Sequence, residues 1–219
     1  MLPALLAFTF MWLFAGPALA QGAPAAERPL TIAAFGDSLS AGYGLEAKDG
    51  FAARLEAALR ATGENVRVTN AGVSGDTTAG GLARVDWVLG DKPDIVILEL
   101  GANDMLRGLS PAKAEANLDA ILTRLGQHKV PVLLAGMLAS RSLGSDYTKE
   151  FDPLYRRLAD KHKVPLYPFF LDGVALNQAL NQPDLLHPNA KGVDVIVERI
   201  LPPLRRLIAA TRAAARPPA

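Results

Sequence analysis

A serine near the start of the chain and a histidine near its end are the residues best suited to chemistry. Ser38 lies in the small polar segment 36–40, and His187 follows Asp184 by three residues. A serine hydroxyl is a poor nucleophile unless a base lies within hydrogen-bonding reach. A carboxylate on the far side of an imidazole fixes the tautomer of that base. The residue types and their spacing therefore predict a nucleophile, a base and an acid in Ser38, His187 and Asp184.

The other histidines are better explained by structure than by catalysis. The chain has three histidines, and His128 and His162 each precede a Lys-Val-Pro sequence where a predicted helix ends. An imidazole interacts favourably with the dipole at the end of a helix and needs no catalytic reason there. His187 lies instead in a loop before the last predicted helix, so it is the best candidate for the base.

A nucleophile that attacks a carbonyl group also needs donors for the oxyanion that forms. Three donors come from three different predicted strand ends: the N–H groups of Ser38 and Gly72 and the side-chain amide of Asn103. Gly72 suits this role because the absence of a Cβ lets its backbone approach a substrate closely. We therefore expect these donors to converge on the oxyanion.

Several acidic residues near these segments are expected to have structural roles. Asp37 and Asp104 flank the candidate site residues and should hold their loops by hydrogen bonds. Asp76 should cap a helix that begins at Thr77. Asp172 precedes a glycine and should end or cap a turn.

The elements that must position these residues alternate between short apolar runs and longer amphipathic segments. Predicted strands, rich in Val, Ile and Leu, span residues 31–35, 66–70, 94–100, 130–137 and 164–167. Predicted helices span residues 51–61, 112–127, 147–162 and 194–212. This alternation predicts a doubly wound, parallel, five-stranded sheet in a three-layer α/β/α fold. Ligands of such sheets bind at the carboxyl ends of the strands, where the candidate residues lie.

The first residues are typical of a secretory signal. Residues 1–20 are almost entirely apolar and end in Ala-Leu-Ala, which predicts cleavage after Ala20. We expect a spacer at 21–29, one domain at 30–212 and a frayed tail at 213–219. The mature protein would then be periplasmic or secreted, with no stable insertion into a membrane. An uncleaved membrane anchor is the alternative.

The composition narrows the classes of partner. The net charge is +1, which gives no reason to expect nucleic acid as a partner. The chain has no cysteine, so a thiol nucleophile and a cysteine-ligated metal are excluded and stability must come from packing. The stretch 42–44 lacks the glycine spacing and the lysine of nucleotide-binding loops. We therefore expect a small-molecule substrate.

Four segments together resemble the GDSL, or SGNH, hydrolase family: residues 36–40, the Gly72 loop, residues 101–104 and residues 184–188. The likeness runs from about Thr31 to the last predicted helix. Within the family, the stretch 164–170 and the compact size are similar to the bacterial periplasmic thioesterase I, lysophospholipase and arylesterase branch. One difference is that Leu185 and Leu186 stand where the family often has Gly-Ile, which should alter the flexibility of this loop.

The resemblance implies a flavodoxin-like fold, no metal or other cofactor, and a covalent acyl-enzyme. It also implies a role for each matching position. Ser38 would be the nucleophile, Asp184 would orient His187 as the base, and Gly72 and Asn103 would donate to the oxyanion.

Apolar residues after the third, fourth and fifth strands should line the acyl pocket. The candidates are Leu106, Leu109, Leu138, Leu143, Tyr147, Phe169 and Phe170, with the stretch continuing to Leu176. Their apolar character favours short or medium-chain esters and thioesters, and lysophospholipids, over sugars. The oligomeric state is left open by the sequence.

Two other functions remain open. A carbohydrate O-deacetylase could use the same triad, and a non-catalytic acyl-binding or lipid-binding protein could share the fold. A membrane-anchored interaction protein would require that the apolar segment 1–20 be retained.

Overall fold

The computed structural model describes residues 28–215. The predicted signal segment, the spacer as far as residue 27 and residues 216–219 lie outside the described residues. Five parallel strands form one sheet in the order β2-β1-β3-β4-β5. The strands are β1 (Leu30–Gly36), β2 (Val66–Asn70), β3 (Ile95–Glu99), β4 (Val132–Ala135) and β5 (Leu166–Tyr167).

Eight α-helices lie among the described residues. They are α1 (Ser38–Ala41), α2 (Phe51–Ala61), α3 (Thr78–Gly90), α4 (Ala102–Leu106), α5 (Pro111–Gln127), α6 (Gly144–Phe151), α7 (Leu154–His162) and α8 (Ala190–Ala215). Helices α2 and α8 pack together as one group, and α3, α5 and α7 pack as another. The predicted five-stranded, parallel α/β fold with flanking helices is confirmed.

The central strands are buried because they are covered on both faces. Every residue of β3 is buried, and β1 is buried at all but one position. A strand in this situation needs apolar side chains on both sides, which explains why these segments show no polar alternation. Glu99, the last residue of β3, is the exception to that apolar composition.

The single helix predicted at 147–162 is divided into α6 and α7. Pro153 lies at the division, where its lack of an N–H and its ring disfavour continuation of the helix. Asp152, beside it, accepts hydrogen bonds from the Ala139 N–H at 2.8 Å and from Arg141 at 2.9 Å. The Asp152 side chain therefore connects this helical region to the loop after β4.

The last helix is longer than predicted at both ends. It begins at Ala190, where the Asn189 side chain accepts from the Gly192 N–H at 3.1 Å. It continues to Ala215, so residues 213–215 of the expected tail belong to this helix. The Arg212 guanidinium donates to Glu64 at 2.5 Å and secures this end to the body of the domain. Within residues 28–215, no helix combines the length and the hydropathy needed to cross a membrane.

Candidate active site

Ser38 lies at the point where the order of the strands in the sheet reverses. It begins α1 directly after β1, and β1 lies between β2 and β3. Ligand sites of parallel sheets form at this kind of switch point. A Cβ on Gly36 would lie 2.2 Å from the Ser40 hydroxyl. Only glycine therefore allows the chain to turn this tightly into α1.

The three residues of the predicted triad form one line of hydrogen bonds. His187 Nε2 lies 2.9 Å from Ser38 Oγ, and His187 Nδ1 lies 2.7 Å from Asp184 Oδ2. The other Asp184 oxygen accepts from the N–H groups of Leu186 at 2.9 Å and of His187 at 3.0 Å. Hydrogen bonds from the backbone and side chain of His187 lower the pKa of Asp184 to about 2.

The ionised Asp184 fixes the tautomer of the base. A carboxylate can only accept hydrogen bonds, so Nδ1 of His187 carries the proton that is shared with Asp184. Nε2 is then unprotonated in the neutral ring and can accept the Ser38 proton. This is the arrangement that activates a serine hydroxyl.

The turn that carries His187 contains a leucine in an unusual conformation. Leu185 has a φ of 59°, in the left-handed region that glycine tolerates best. It stands where the family often has glycine, and its side chain is about half exposed. The difference in this loop is therefore a strained leucine in a turn that glycine could form without strain.

Two residues that the sequence did not single out connect the nucleophile to the base. The Gln182 side-chain amide donates to Tyr43 O at 2.7 Å and to Pro188 O at 3.0 Å. The Gln182 N–H donates to His187 O at 2.7 Å. The Tyr43 ring lies against the imidazole, with 4.6 Å between the ring centroids. Gln182 thus ties the histidine loop to the segment after α1, across a separation of 139 residues.

The candidate oxyanion donors surround α1, but they are not equally free. The Ser38 N–H, at the first position of α1, has no acceptor within the helix. Asn103 donates one hydrogen bond from Nδ2 to Asp37 at 3.1 Å, which leaves its second amide hydrogen. The Gly72 N–H donates to the Asn70 side chain at 3.0 Å. The Gly72 N–H is therefore occupied by Asn70 in this structure, and its role as an oxyanion donor stays a prediction.

Gly72 does make the close approach that its residue type suggests. A Cβ at this position would lie 2.3 Å from the Ala41 nitrogen. The Asn70 side chain also donates to Ala41 O at 3.0 Å. The loop after β2 is therefore pressed against α1 and is held there by Asn70.

The acidic residues near the site have structural partners. Asp37 caps α1 by accepting from the Leu39 N–H at 3.0 Å. Asp104 accepts from the N–H and the hydroxyl of Thr78, both at 2.7 Å, and so joins α4 to α3. Both contacts agree with the loop-holding roles predicted for these residues. Asp172 closes a turn, where its N–H donates to Phe169 O at 3.1 Å, and its side chain pairs with Arg199.

Asp76 does not cap the helix as predicted. The cap is the Thr77 hydroxyl, which accepts from the Gly80 N–H at 3.3 Å. Asp76 instead pairs with Arg84 at 2.6 Å. The same guanidinium donates to Ala71 O at 2.7 Å and to Gly36 O at 2.8 Å. Arg84 therefore joins the ends of β1 and β2, and sequence reasoning missed it.

Two buried carboxyl groups lie below Ser38. Burial raises the pKa of Asp37 to about 6. Burial, and then the nearby Asp37, raise the pKa of Glu99 well above its usual range. Glu99 was also missed by sequence reasoning, although a charged residue at the end of an apolar strand was a visible signal.

The predicted acyl-pocket residues fall into three groups. Leu106, at the end of α4, and Leu109 and Leu138, on loops, are exposed at the carboxyl edge of the sheet. Leu143, Tyr147 and Phe169 are partly buried. Phe170 is fully buried.

Phe170 is therefore a correction to the predicted pocket. Its ring packs edge-on against Phe51, with 5.1 Å between the centroids, so it belongs to the core. The Tyr147 hydroxyl donates to Leu109 O at 2.9 Å. Leu176, at the end of the predicted stretch, is 91% exposed and also has a left-handed backbone.

The site contains no cluster of metal ligands in the part of the chain that the structure describes. No three His, Asp or Glu side chains there come together as they would around an ion. The groups that the site does offer are a hydroxyl, an imidazole, a carboxylate and amide donors. These are the groups needed for acyl transfer.

Comparison with known proteins identifies relatives along most of the chain. The chain is 38% identical to esterase TesA of Pseudomonas aeruginosa over 81% of its own length and 89% of that protein. It is 35% identical to an arylesterase of Vibrio mimicus over 82% and 89%. It is also 35% identical to thioesterase 1/protease 1/lysophospholipase L1 of Escherichia coli K12, over 81% and 85%.

Solved structures agree with the sequence relatives. The structure of AlinE4, an SGNH-hydrolase family esterase, is 49% identical and superposes with a TM-score of 0.71 over 83% of this chain and 98% of that one. The model of the GDSL-like lipase/acylhydrolase family matches residues 34–195, which contain every residue of the triad. The chain belongs to the GDSL-like lipase/acylhydrolase family, also known as the SGNH hydrolases.

Proposed function

We propose that this hydrolase is a serine esterase that cleaves carboxylic esters and thioesters through an acyl-enzyme on Ser38. The observation that carries the proposal is the hydrogen-bonded line from Asp184 through His187 to Ser38, with separations of 2.7 and 2.9 Å. Such a line supplies both an activated nucleophile and a proton carrier.

The reaction proceeds in two halves. The Ser38 oxygen attacks the acyl carbon while its proton moves to His187 Nε2, and the carbonyl oxygen becomes an oxyanion. When this intermediate collapses, the alcohol or thiol leaves with the proton from Nε2. Water then attacks the acyl-enzyme and gives its proton to Nε2. The second collapse releases the carboxylic acid and returns the proton to Ser38.

The oxyanion would be stabilised by the Ser38 N–H and the free amide hydrogen of Asn103. Gly72 can join them if its N–H leaves the Asn70 side chain when substrate binds. An Asx-type contact of this kind is a single neutral hydrogen bond, worth about 1 kcal/mol. A charged oxyanion is a stronger acceptor than a neutral amide oxygen, so the exchange is favourable in the transition state.

The acyl group proposed is short or medium-chain, with lysophospholipids as further substrates. Exposed apolar side chains in the segments after β3 and β4, including Leu106 and Leu138, support an apolar acyl or aryl group. The relatives include proteins named arylesterase and thioesterase 1/protease 1/lysophospholipase L1. No cofactor is needed for the steps described.

A panel of substrates tests this proposal. Aryl acetates, longer aryl acyl esters, an acyl thioester, a lysophospholipid and an acetylated sugar would be compared by kcat/KM. We expect the aryl and acyl esters to be cleaved faster than the sugar. A clear preference for the sugar would instead establish the O-deacetylase alternative.

Replacing the nucleophile is the matched control. We expect Ser38→Ala to abolish hydrolysis, because only the oxygen attacks, while the thermal unfolding midpoint stays nearly constant. A serine-directed organophosphate should add its mass to the wild type and not to Ser38→Ala. No added mass on the wild type would support the acyl-binding or lipid-binding alternative. A Ser38→Ala protein that keeps most of its activity would show that the nucleophile is another residue.

We also propose that the protein is exported and cleaved after Ala20. The apolar segment 1–20 and its Ala-Leu-Ala ending support this. Mass spectrometry of the exported protein should find Gln21 as the first residue. An intact apolar segment on the cell-associated protein would support the membrane-anchored alternative.

A further inference from the structure

Glu99 is a fully buried carboxyl group directly below the segment that carries Ser38. None of its surface reaches solvent. Its Oε2 accepts from the Ser40 hydroxyl at 2.8 Å and, over a longer distance of 3.3 Å, from the Asp37 N–H. Its Oε1 has no hydrogen-bond partner among the described residues. The proposed acyl transfer assigns no step to this residue.

The two oxygens of Asp37 are better supplied with donors than those of Glu99. Asp37 Oδ1 accepts from the Leu39 N–H at 3.0 Å, and Oδ2 accepts from Asn103 at 3.1 Å. An ionised carboxylate is costly to bury unless its oxygens have donors. Two neighbouring buried carboxylates also repel each other, so one of them binds a proton. The proton belongs on Glu99, which has the oxygen without a donor.

None of the other charged and titratable groups around Glu99 supplies a positive charge that would neutralise an ionised Glu99. Tyr155, from α7, donates to Leu100 O at 2.9 Å, and burial raises the pKa of its hydroxyl well above the usual range. Arg84, from α3, points to Gly36 O and is paired with Asp76. Asp104, from α4, accepts from Thr78. Among the described residues, no cation forms an ion pair with Glu99.

We propose that Glu99 is a positioning residue that works as a neutral carboxylic acid. It holds the turn 36–40 from below, and it leaves a single negative charge on Asp37, which orients the amide of Asn103. The assignment of Ser38 and Asn103 to the reaction rests on the proposed function. The neutrality of Glu99 rests only on the buried contacts described above.

The chemical reason for a neutral group lies in the charge that develops on the substrate. An ionised Glu99 would place a second negative charge below the oxyanion and oppose its formation. A neutral acid supplies the same acceptor for Ser40 without that charge. The turn is thus fixed at the position where Ser38 Oγ meets His187 Nε2.

The protonation state can be measured without any activity. In protein labelled with ¹³C at the glutamate carboxyl carbons, carried on the Ser38→Ala background, we expect one protonated glutamate at neutral pH. That resonance should disappear in Glu99→Gln and persist in the matched control Glu198→Gln, whose side chain is exposed. A spectrum with every glutamate ionised at neutral pH would overturn the proposal.

The stability of the fold should depend on the same proton. The pKa of Glu99 is higher in the folded chain than in the unfolded chain, so the folded protein binds the extra proton. The contribution of Glu99 to stability is then greatest below its unfolded pKa of 4.5 and is lost as pH rises through its higher folded pKa. In Glu99→Gln, the slope of unfolding free energy against pH should lack the contribution of this one proton. In Glu198→Gln, the slope should be the same as in the wild type. Equal slopes in the two variants would contradict a neutral Glu99.

Kinetics test the positioning role. We expect Glu99→Leu, which has no acceptor for Ser40, to lower kcat by about tenfold or more with little change in KM, since small misplacements of a nucleophile are costly. The isosteric Glu99→Gln should recover most of that loss and should lose less activity than the wild type at alkaline pH. If Glu99→Leu fails to fold, the alkaline comparison of Glu99→Gln with the wild type decides alone.

The outcomes separate this proposal from the proposed function. A wild-type kcat in Glu99→Leu would show that Glu99 contributes only packing to the core. A Glu99→Gln variant as slow as Glu99→Leu would show that the negative charge of Glu99 is needed. A wild type with no esterase activity would contradict the proposed function, while the labelled spectrum would still report whether Glu99 is protonated.

Discussion

At the scale of single residues, the site depends on groups whose neighbours determine their state. Asp184 stays ionised because His187 donates to it from both the backbone and the ring. Glu99 is buried with one oxygen lacking a donor. Two carboxyl groups near one serine therefore differ in charge for a local reason. One is at the surface among donors, and the other is in the core beside a like charge.

Leu185 provides a test of backbone strain at this scale. A left-handed leucine is strained by about 1–3 kcal/mol, whereas a new glycine costs about 0.5–1 kcal/mol in chain entropy. We therefore expect Leu185→Gly to leave the free energy of unfolding nearly constant or to raise it. Urea denaturation would measure this.

The neighbouring leucine is the matched control. Leu186 is about as exposed as Leu185 but is not in the left-handed region. Leu186→Gly should therefore destabilise the protein by roughly 0.5–1 kcal/mol. Equal losses in the two variants would show that the turn at Leu185 stores no strain.

At the scale of elements, strand ends carry the site, and side chains from a helix and from a loop hold these ends together. Arg84 on α3 joins the ends of β1 and β2, and Gln182 joins the segment after α1 to the loop before α8. Neither residue reacts in the proposed mechanism. Both donate to main-chain carbonyl groups near the site.

Gln182 is the more direct test of this bracing. In Gln182→Glu the donor to Tyr43 O and Pro188 O becomes an acceptor, so the two segments should separate. We expect kcat to fall by about tenfold or more with little change in KM, as misplacement of the base predicts. The rate of reaction with a serine-directed organophosphate should fall in parallel.

The control for this prediction lies in the same loop. Gln178 is exposed, and Gln178→Glu makes the same chemical change away from the histidine. It should leave kcat close to the wild-type value. A Gln182→Glu variant that also keeps its kcat would show that the tie is not needed to align Ser38 with His187.

At the scale of the whole molecule, the core packs against both faces of the sheet. A rim of exposed apolar side chains lies outside the carboxyl ends of the strands. The rim holds Tyr43, Leu106, Leu138 and Leu176, all exposed, whereas Phe170 lies in the core although it follows the same sheet edge. Apolar residue type alone is thus compatible with both places. The position of each residue relative to the strand end decides whether its side chain lies in the core or at the rim.

Two truncations distinguish core from rim. Phe170→Ala should destabilise the fold by about 3–5 kcal/mol, as expected for a buried aromatic ring. Leu106→Ala should change stability by less than about 0.5 kcal/mol and should raise KM for longer acyl esters. Thermal unfolding and steady-state kinetics on both variants would measure the two effects. A stable Phe170→Ala protein with a raised KM would return Phe170 to the pocket.

Much of the site could be predicted because parallel strands end at a common edge. Ser38, Asn103 and the Gly72 loop each follow a strand, so any parallel sheet would bring them to one side. His187 was the remaining histidine once His128 and His162 were assigned to helix ends, and both of these do lie at helix ends. Element boundaries were less accurate where proline or a capping side chain intervened, as at Pro153 and Asn189.

The sequence by itself determined the fold class and singled out the candidate nucleophile, base and acid, because these depend on residue type, periodicity and order along the chain. Only the tertiary structure decided which donors are free, as at Gly72, which side chains join distant segments, as at Gln182, and which apolar residues are core, as at Phe170. It also decided that Glu99 is buried beside Asp37. Hydrogen-bond partners and burial depend on distances between residues far apart in the chain, and local sequence does not contain those distances.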